Sequence, residues 1–164
     1  MANSRETERR KVVLQSIEIS SFCHATEDCS RVRASILNLI PPEIRGKIIL
    51  IEEAVEGYYG NRIVVIKTQI LEKCEEVLKY LLSTMSDTEK SLMKITLPLR
   101  FDPRTGRLIL RISKQDAFLG NVKLLDSDDV VKITLHFKGV KNIEKISGYI
   151  DGLISPGQSS TSQA

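Results

Sequence analysis

Lys94-Ile95-Thr96-Leu97-Pro98-Leu99-Arg100-Phe101-Asp102-Pro103-Arg104-Thr105-Gly106-Arg107-Leu108-Ile109-Leu110-Arg111-Ile112-Ser113 is the stretch on which the fold turns. Side chains of a strand alternate between two faces, so Ile95, Leu97, Leu99 and Phe101 share one side while Lys94, Thr96, Pro98 and Arg100 share the other. Past the turn, Leu108, Leu110 and Ile112 alternate with Arg107, Ile109, Arg111 and Ser113. A loop of even length keeps the two apolar sets together, and Pro103-Arg104-Thr105-Gly106 supplies one: Pro suits a type I turn, and Gly suits the left-handed position. The expectation is a hairpin over residues 94–101 and 107–113, with Asp102 facing Arg107 and Leu99 facing Leu110.

Such a hairpin is oily on its inner side and gathers Lys94, Arg100, Arg107 and Arg111 on its outer side, with Arg104 at the tip. Like charges crowded on one sheet face repel one another unless an anion sits among them. The whole chain carries a net charge of only +3. Between residues 94 and 123, however, these five cations with Lys114 and Lys123 stand against only Asp102 and Asp116, so the basicity is concentrated there. Guanidinium groups donate forked hydrogen bonds to phosphate, and each phosphate neutralised releases counterions. The competing reading is a solvated outer face with Arg107 paired to Asp102, the ordinary state of exposed charge.

Working outward, Val13, Ile17 and Ile19 mark a first strand over residues 12–22. Thr26 offers an N-cap, with Glu27 and Asp28 in the first turn of a helix running through Val32, Ile36 and Leu39 until Pro41 and Pro42 stop it. Residues 47–55 and 62–68 are β-rich and flank a loop at 56–61 whose glycines and Asn61 suit a hairpin. Ile70, Leu71, Cys74, Val77, Leu78, Leu81 and Leu82 recur at helical spacing, and Ser86-Asp87-Thr88-Glu89 matches a capping box that opens a short helix. Beyond the quoted stretch lie a turn or helical segment at 114–120, a minor strand at 122–125, a strong strand at 130–137, and a closing helix through Val140, Ile143, Ile146, Ile150 and Leu153. The order β-α-β-β-α-α-β-β-β-α describes an α+β fold, a largely antiparallel sheet with helices packed on one face.

Length and composition agree: 164 residues, 41% of them hydrophobic, suffice for one core. The expected division is a flexible arm at 1–11, a single domain at 12–154, and a Ser-, Gly- and Gln-rich disordered tail at 155–164. The first thirty residues do not resemble a signal peptide and no apolar run reaches membrane-spanning length, so a cytoplasmic protein without membrane contact is expected. Cys23, Cys29 and Cys74 form an odd set without a CxxC pair, which suggests neither a disulfide framework nor, with His24, a zinc site; Cys74 falls on a helix's apolar stripe as a core residue.

No Gly-rich phosphate loop, HExxH pair or GxSxG elbow is present, so no catalytic residue, metal ligand or cofactor is assigned. His24 beside a helix start reads as a hydrogen-bonded structural group. Asp126, Asp128 and Asp129 read as a polar turn rather than a magnesium site. Tyr58 and Tyr59, between two glycines and beside Asn61 and Arg62, form a loop that can stack an unpaired base, or alternatively fold back on the sheet.

Four segments in register carry a resemblance: His24-Ala25-Thr26-Glu27-Asp28, the loop from Gly57 to Asn61, the stretch from Arg100 to Gly120, and Asp128-Asp129-Val130-Val131-Lys132-Ile133. Over residues 13–138 the chain resembles the archaeal family of predicted exosome-associated RNA-binding proteins. The resemblance implies an α+β fold akin to the ribosomal protein that binds five-S rRNA, and a non-catalytic role in RNA processing, with the exosome, or in ribosome assembly. It carries over Tyr58, Gly60, Asn61, Arg100, Arg111, Lys114 and Gln115. Together with Tyr59, Arg62, Lys94, Arg104 and Arg107 from the reading above, these are the candidate contacts to structured RNA read by its shape. The alternative is a protein-interaction subunit of a larger RNA-processing complex, or a homodimer joined through a strand edge.

Overall fold

The computed structural model describes residues 12–57 and 59–154; the expected arm at 1–11, Tyr58 and the expected tail at 155–164 lie outside the described residues. Its strands are β1 (Val13–Cys23), β2 (Ile51–Glu56), β3 (Arg62–Ile70), β4 (Phe101–Asp102), β5 (Arg107–Ile112) and β6 (Val131–Lys138). They form one six-stranded sheet in the order β2-β3-β1-β6-β5-β4, with every strand pairing antiparallel. The helices are α1 (Cys29–Leu37), α2 (Pro42–Arg45), α3 (Cys74–Thr84), α4 (Asp87–Ile95), α5 (Leu97–Arg100), α6 (Lys114–Phe118) and α7 (Ile143–Ile154). This is the expected α+β class.

Alternation fixes which face of the sheet is covered. Ile17 and Ile19 of β1, Ile66 and Ile70 of β3, Leu108, Leu110 and Ile112 of β5, and Val131, Ile133, Leu135 and Phe137 of β6 are all buried. They join one core with Val32 and Ile36 of α1, Leu78 and Leu81 of α3, Met93 of α4, and Ile146 and Ile150 of α7. Cys74 belongs to that core, and burial pushes its thiol pKa up. Tyr149 sits edge-on to Phe137, with ring centroids 5.7 Å apart, and donates its hydroxyl to Glu75 Oε1 at 2.9 Å. The alternate residues of the same strands face away from the helices and remain exposed or half-buried.

Several local readings need correction. Residues 94–101 do not form a strand: α4 continues to Ile95, Thr96 is a single joint, and α5 follows at once, leaving only Phe101–Asp102 to pair with β5. Asp102 does face Arg107, but Leu99 faces solvent and meets no strand. The cap of α1 is Asp28 rather than Thr26, its carboxylate accepting from the Ser30 amide at 3.0 Å. Pro42 opens α2, since its missing N–H costs nothing at the first turn. Residues 122–125 make only isolated bridges, Val122 to Met85 and Leu124 to Ile112. Cys23 and Cys29, which gave no sign of pairing, are joined by a disulfide across the β1–α1 turn.

The Ser86 cap holds, its hydroxyl accepting from the Glu89 amide at 3.2 Å, while the Glu89 carboxylate accepts from the Leu124 amide at 2.9 Å and so ties down the 122–125 segment. Gly106 closes the β4–β5 turn at φ 72°, and a Cβ there would lie 2.4 Å from the Phe137 carbonyl oxygen, so the close approach of this turn to β6 admits no side chain.

Candidate nucleic-acid interface

The exposed sheet face is best followed across the strands. Arg111 pairs with Lys132, Lys132 with Ser20, Ser20 with Lys67, and Lys67 with Ile51, so these five residues form one row running across β5, β6, β1, β3 and β2. The neighbouring row on one side places Phe22 against Val65 and Val65 against Glu53. On the other side lie Ile109, Thr134, Glu18 and Gln69, then Arg107, His136 and Ser16, with Lys138 beyond. Among the described residues no carboxylate comes within ion-pairing distance of Lys67, Arg107, Arg111, Lys132 or Lys138. Glu18 and Glu53 are the acidic residues of these rows. Adjacent strands lie about 4.8 Å apart and same-face neighbours along a strand about 7 Å apart. The cations are therefore crowded enough to reinforce one another's field.

Of the residues expected in the site, Arg107 and Arg111 stand on this face and Arg104 is exposed at the β4–β5 turn, near Asp102 at 3.5 Å. Arg100 and Arg111 line one cleft of about 280 Å³ with Thr96, Ile109 and Asp126. Arg100, however, is largely buried there, donating from Nε to Thr96 Oγ1 at 2.7 Å and lying 3.5 Å from Asp126. Lys94 is not on the sheet: it lies in the last turn of α4 and pairs with Asp151 of α7 in the helical layer.

Lys114 caps the end of the sheet instead of facing outward. Its ammonium donates to the Phe22 carbonyl and lies 3.0 Å from Glu27 Oε1 and 2.5 Å from Asp129 Oδ1. His24 Nε2 lies 3.2 Å from the same Asp129 oxygen. Burial alone would push the Asp129 carboxyl up, but Lys114 and His24 outweigh it and hold the group below the usual carboxylate range. His24, Glu27 and Asp129 could by distance hold a metal ion, yet the Lys114 ammonium already supplies a cation to two of those three groups. Gln115 borders a separate groove with Arg31 and Phe118.

The β2–β3 loop is closed by the Gly57 amide donating to the Asn61 carbonyl at 2.6 Å, with Gly60 at φ 75°. Tyr59 is 89% exposed at its tip. Arg62 pairs with Glu56 and, by register, falls on the helix side of the sheet, away from Arg111. Lys67, Phe22, Lys132, His136 and Lys138 were not anticipated. Their signal was the alternation of β1, β3 and β6, which becomes a surface only once β1 and β6 are known to lie between β3 and β5.

Comparison with known proteins adds an independent observation. An RNA-binding protein of Pyrococcus abyssi is 31% identical over 131 residues, covering 78% of this chain and 84% of that protein. An uncharacterized protein of Methanocaldococcus jannaschii is 30% identical over 128 residues, covering 77% and 86%. A crystal structure of a Sulfolobus solfataricus protein superposes with a TM-score of 0.71 at 26% identity, covering 85% of this chain and 97% of the other. The model of the RNA-binding family matches residues 16–137, a span that begins in β1, ends in β6 and takes in Lys67, Arg107, Arg111 and Lys132 of the basic face, and the chain belongs to that family.

Proposed function

We propose that the chain binds RNA through the uncovered face of its sheet, with Arg107, Arg111, Lys132 and Lys67 contacting phosphates, and that its role is binding rather than catalysis. The observation that carries this reading is the Arg111–Lys132–Ser20–Lys67 row, whose cations have no carboxylate partner among the described residues. A face built this way gains stability when an anion settles on it, and a polyanion satisfies several positions together. Arg100 supports the site by fixing the wall beside Arg111, and Lys114 by holding the sheet's end together.

The test is salt-dependent binding to RNA. Wild-type affinity falls as salt rises, and Arg111→Glu with Lys132→Glu weakens binding and flattens the dependence, by about 0.7 in the slope of log K against log salt for each single-strand phosphate that is no longer neutralised. Affinity indifferent to salt, or unchanged in the double variant, would remove this reading.

A second reading, docking on a larger RNA-processing assembly such as an exosome or a ribosome precursor, draws on Leu92, Ile95 and Leu99. They follow at helical spacing along α4 and α5 and are 41%, 77% and 87% exposed. Recovery of partner proteins after nuclease treatment, abolished in Ile95→Glu with Leu99→Glu, is the expected result; recovery that depends wholly on RNA would exclude direct docking.

A further inference from the structure

Where the cation row meets the Phe22 row, the sheet does not lie open. The loop from Asp126 to Val130 rises beside it and leaves a cleft of about 360 Å³ walled by Phe22, Val65, Arg111, Lys132, Ser127 and Asp128. Phe22 is 45% exposed although it is the largest side chain of β1, because it stands on the uncovered face while its neighbours Ser21 and Cys23 are buried on the other. One end of the cleft is thus aromatic and aliphatic, the other carries two cations, and the same-face spacing of about 7 Å between the rows is one that a nucleotide spans between base and phosphate. Asp128 and Ser127 add hydrogen-bonding groups at the rim, the carboxylate able only to accept.

A stiff duplex can touch the cations but cannot place a base against Phe22, since its bases are already paired and stacked on one another. The geometry points to a single unpaired nucleotide of RNA as the occupant: its base lies on Phe22 and Val65, its phosphate between Arg111 and Lys132, and its amino or imino edge donates to Asp128. This inference rests on the basic face being the RNA-binding surface, and it narrows the ligand from RNA in general to single-stranded RNA.

The experiment compares fluorescence anisotropy of a labelled single-stranded RNA of about a dozen nucleotides with its blunt duplex. Single-stranded RNA binds wild type about tenfold or more tightly than the duplex, Phe22→Ala weakens the single strand about tenfold, in keeping with base–aromatic stacking, and Phe22→Tyr retains it. Circular dichroism and the urea midpoint of Phe22→Ala verify that this half-exposed position leaves the fold intact. Equal affinity for both forms, or an intact Phe22→Ala that binds the single strand like wild type, overturns the inference; if Arg111→Glu with Lys132→Glu still weakens both forms, the basic face survives as the RNA surface. Absence of salt-sensitive binding to either form overturns both.

Discussion

Lys114 shows how a residue's charge and its availability separate. Its side chain is only 12% exposed, and its ammonium joins the end of β1, the α1 turn and the loop before β6 through Phe22, Glu27 and Asp129. Replacing it with methionine leaves the Glu27 and Asp129 carboxylates close together with only the His24 ring beside them. Lys114→Met therefore lowers stability at pH 7 by about 1–2 kcal/mol, the lower part of the range for ion pairs because Asp129 is partly solvated. Urea midpoints measure the loss, which shrinks in acid, below the usual carboxylate range, as the Asp129 carboxylate that Lys114 holds low takes up a proton. Arg111 could be read from sequence because strand alternation sends it to a known face. Lys114 could not, because Glu27, which neutralises it, stands 87 residues away and meets it only in the folded chain.

At the scale of elements, residues 93–101 show why one pattern supports two structures. Met93, Leu97 and Phe101 are buried, at spacing four, which brings residues to the same face of a helix and also of a strand. The residues that decide between the two are Ile95 and Leu99: a strand would bury them with Leu97, while the observed helices leave them in solvent. The Ser86 cap and the absence of any break before Thr96 carry α4 past the point where alternation suggested a strand. Leu97→Ala accordingly costs about 2–5 kcal/mol, as for other buried leucines, whereas Leu99→Ala stays within about 0.5 kcal/mol of wild type. Comparable losses at both positions, measured by chemical denaturation, would restore the strand. The second half of the hairpin was legible because β5 is a true alternating strand with its inner residues fully buried.

For the molecule as a whole, acid is the revealing condition. The Asp129 carboxyl is held low as described, Asp102 by the Arg104 amide, and Glu52 by the Arg33 guanidinium that donates to both its oxygens at 2.7 and 2.8 Å. Each has a folded pKa below its unfolded one, so its contribution is complete above the ordinary carboxylate range and disappears as pH falls through the folded value. Stability is expected to hold between pH 7 and about 5 and to decline below about 4; urea midpoints across that range check the direction, and Asp129→Asn makes the decline shallower. The layering of helices on one sheet face was legible from periodicity. The surface opposite was legible only on β5; its continuation through Lys132, Ser20 and Lys67 was not, because it depends on strand order, and order is set by pairings distant in sequence.

Among the described residues β2 ends the sheet with one side of its backbone unpaired by any strand, all six of its residues exposed, and Glu52, Glu53 and Glu56 spread over both its faces. With Glu52 already paired to Arg33, another β2 laid antiparallel against it would bring the Glu53 and Glu56 carboxylates near those of its twin, one above the joint and the other below. Like charge along this border works against edge-to-edge pairing of identical molecules, and replacing Glu53 and Glu56 by neutral residues would turn the same edge into a bare backbone ledge on which aggregates can start.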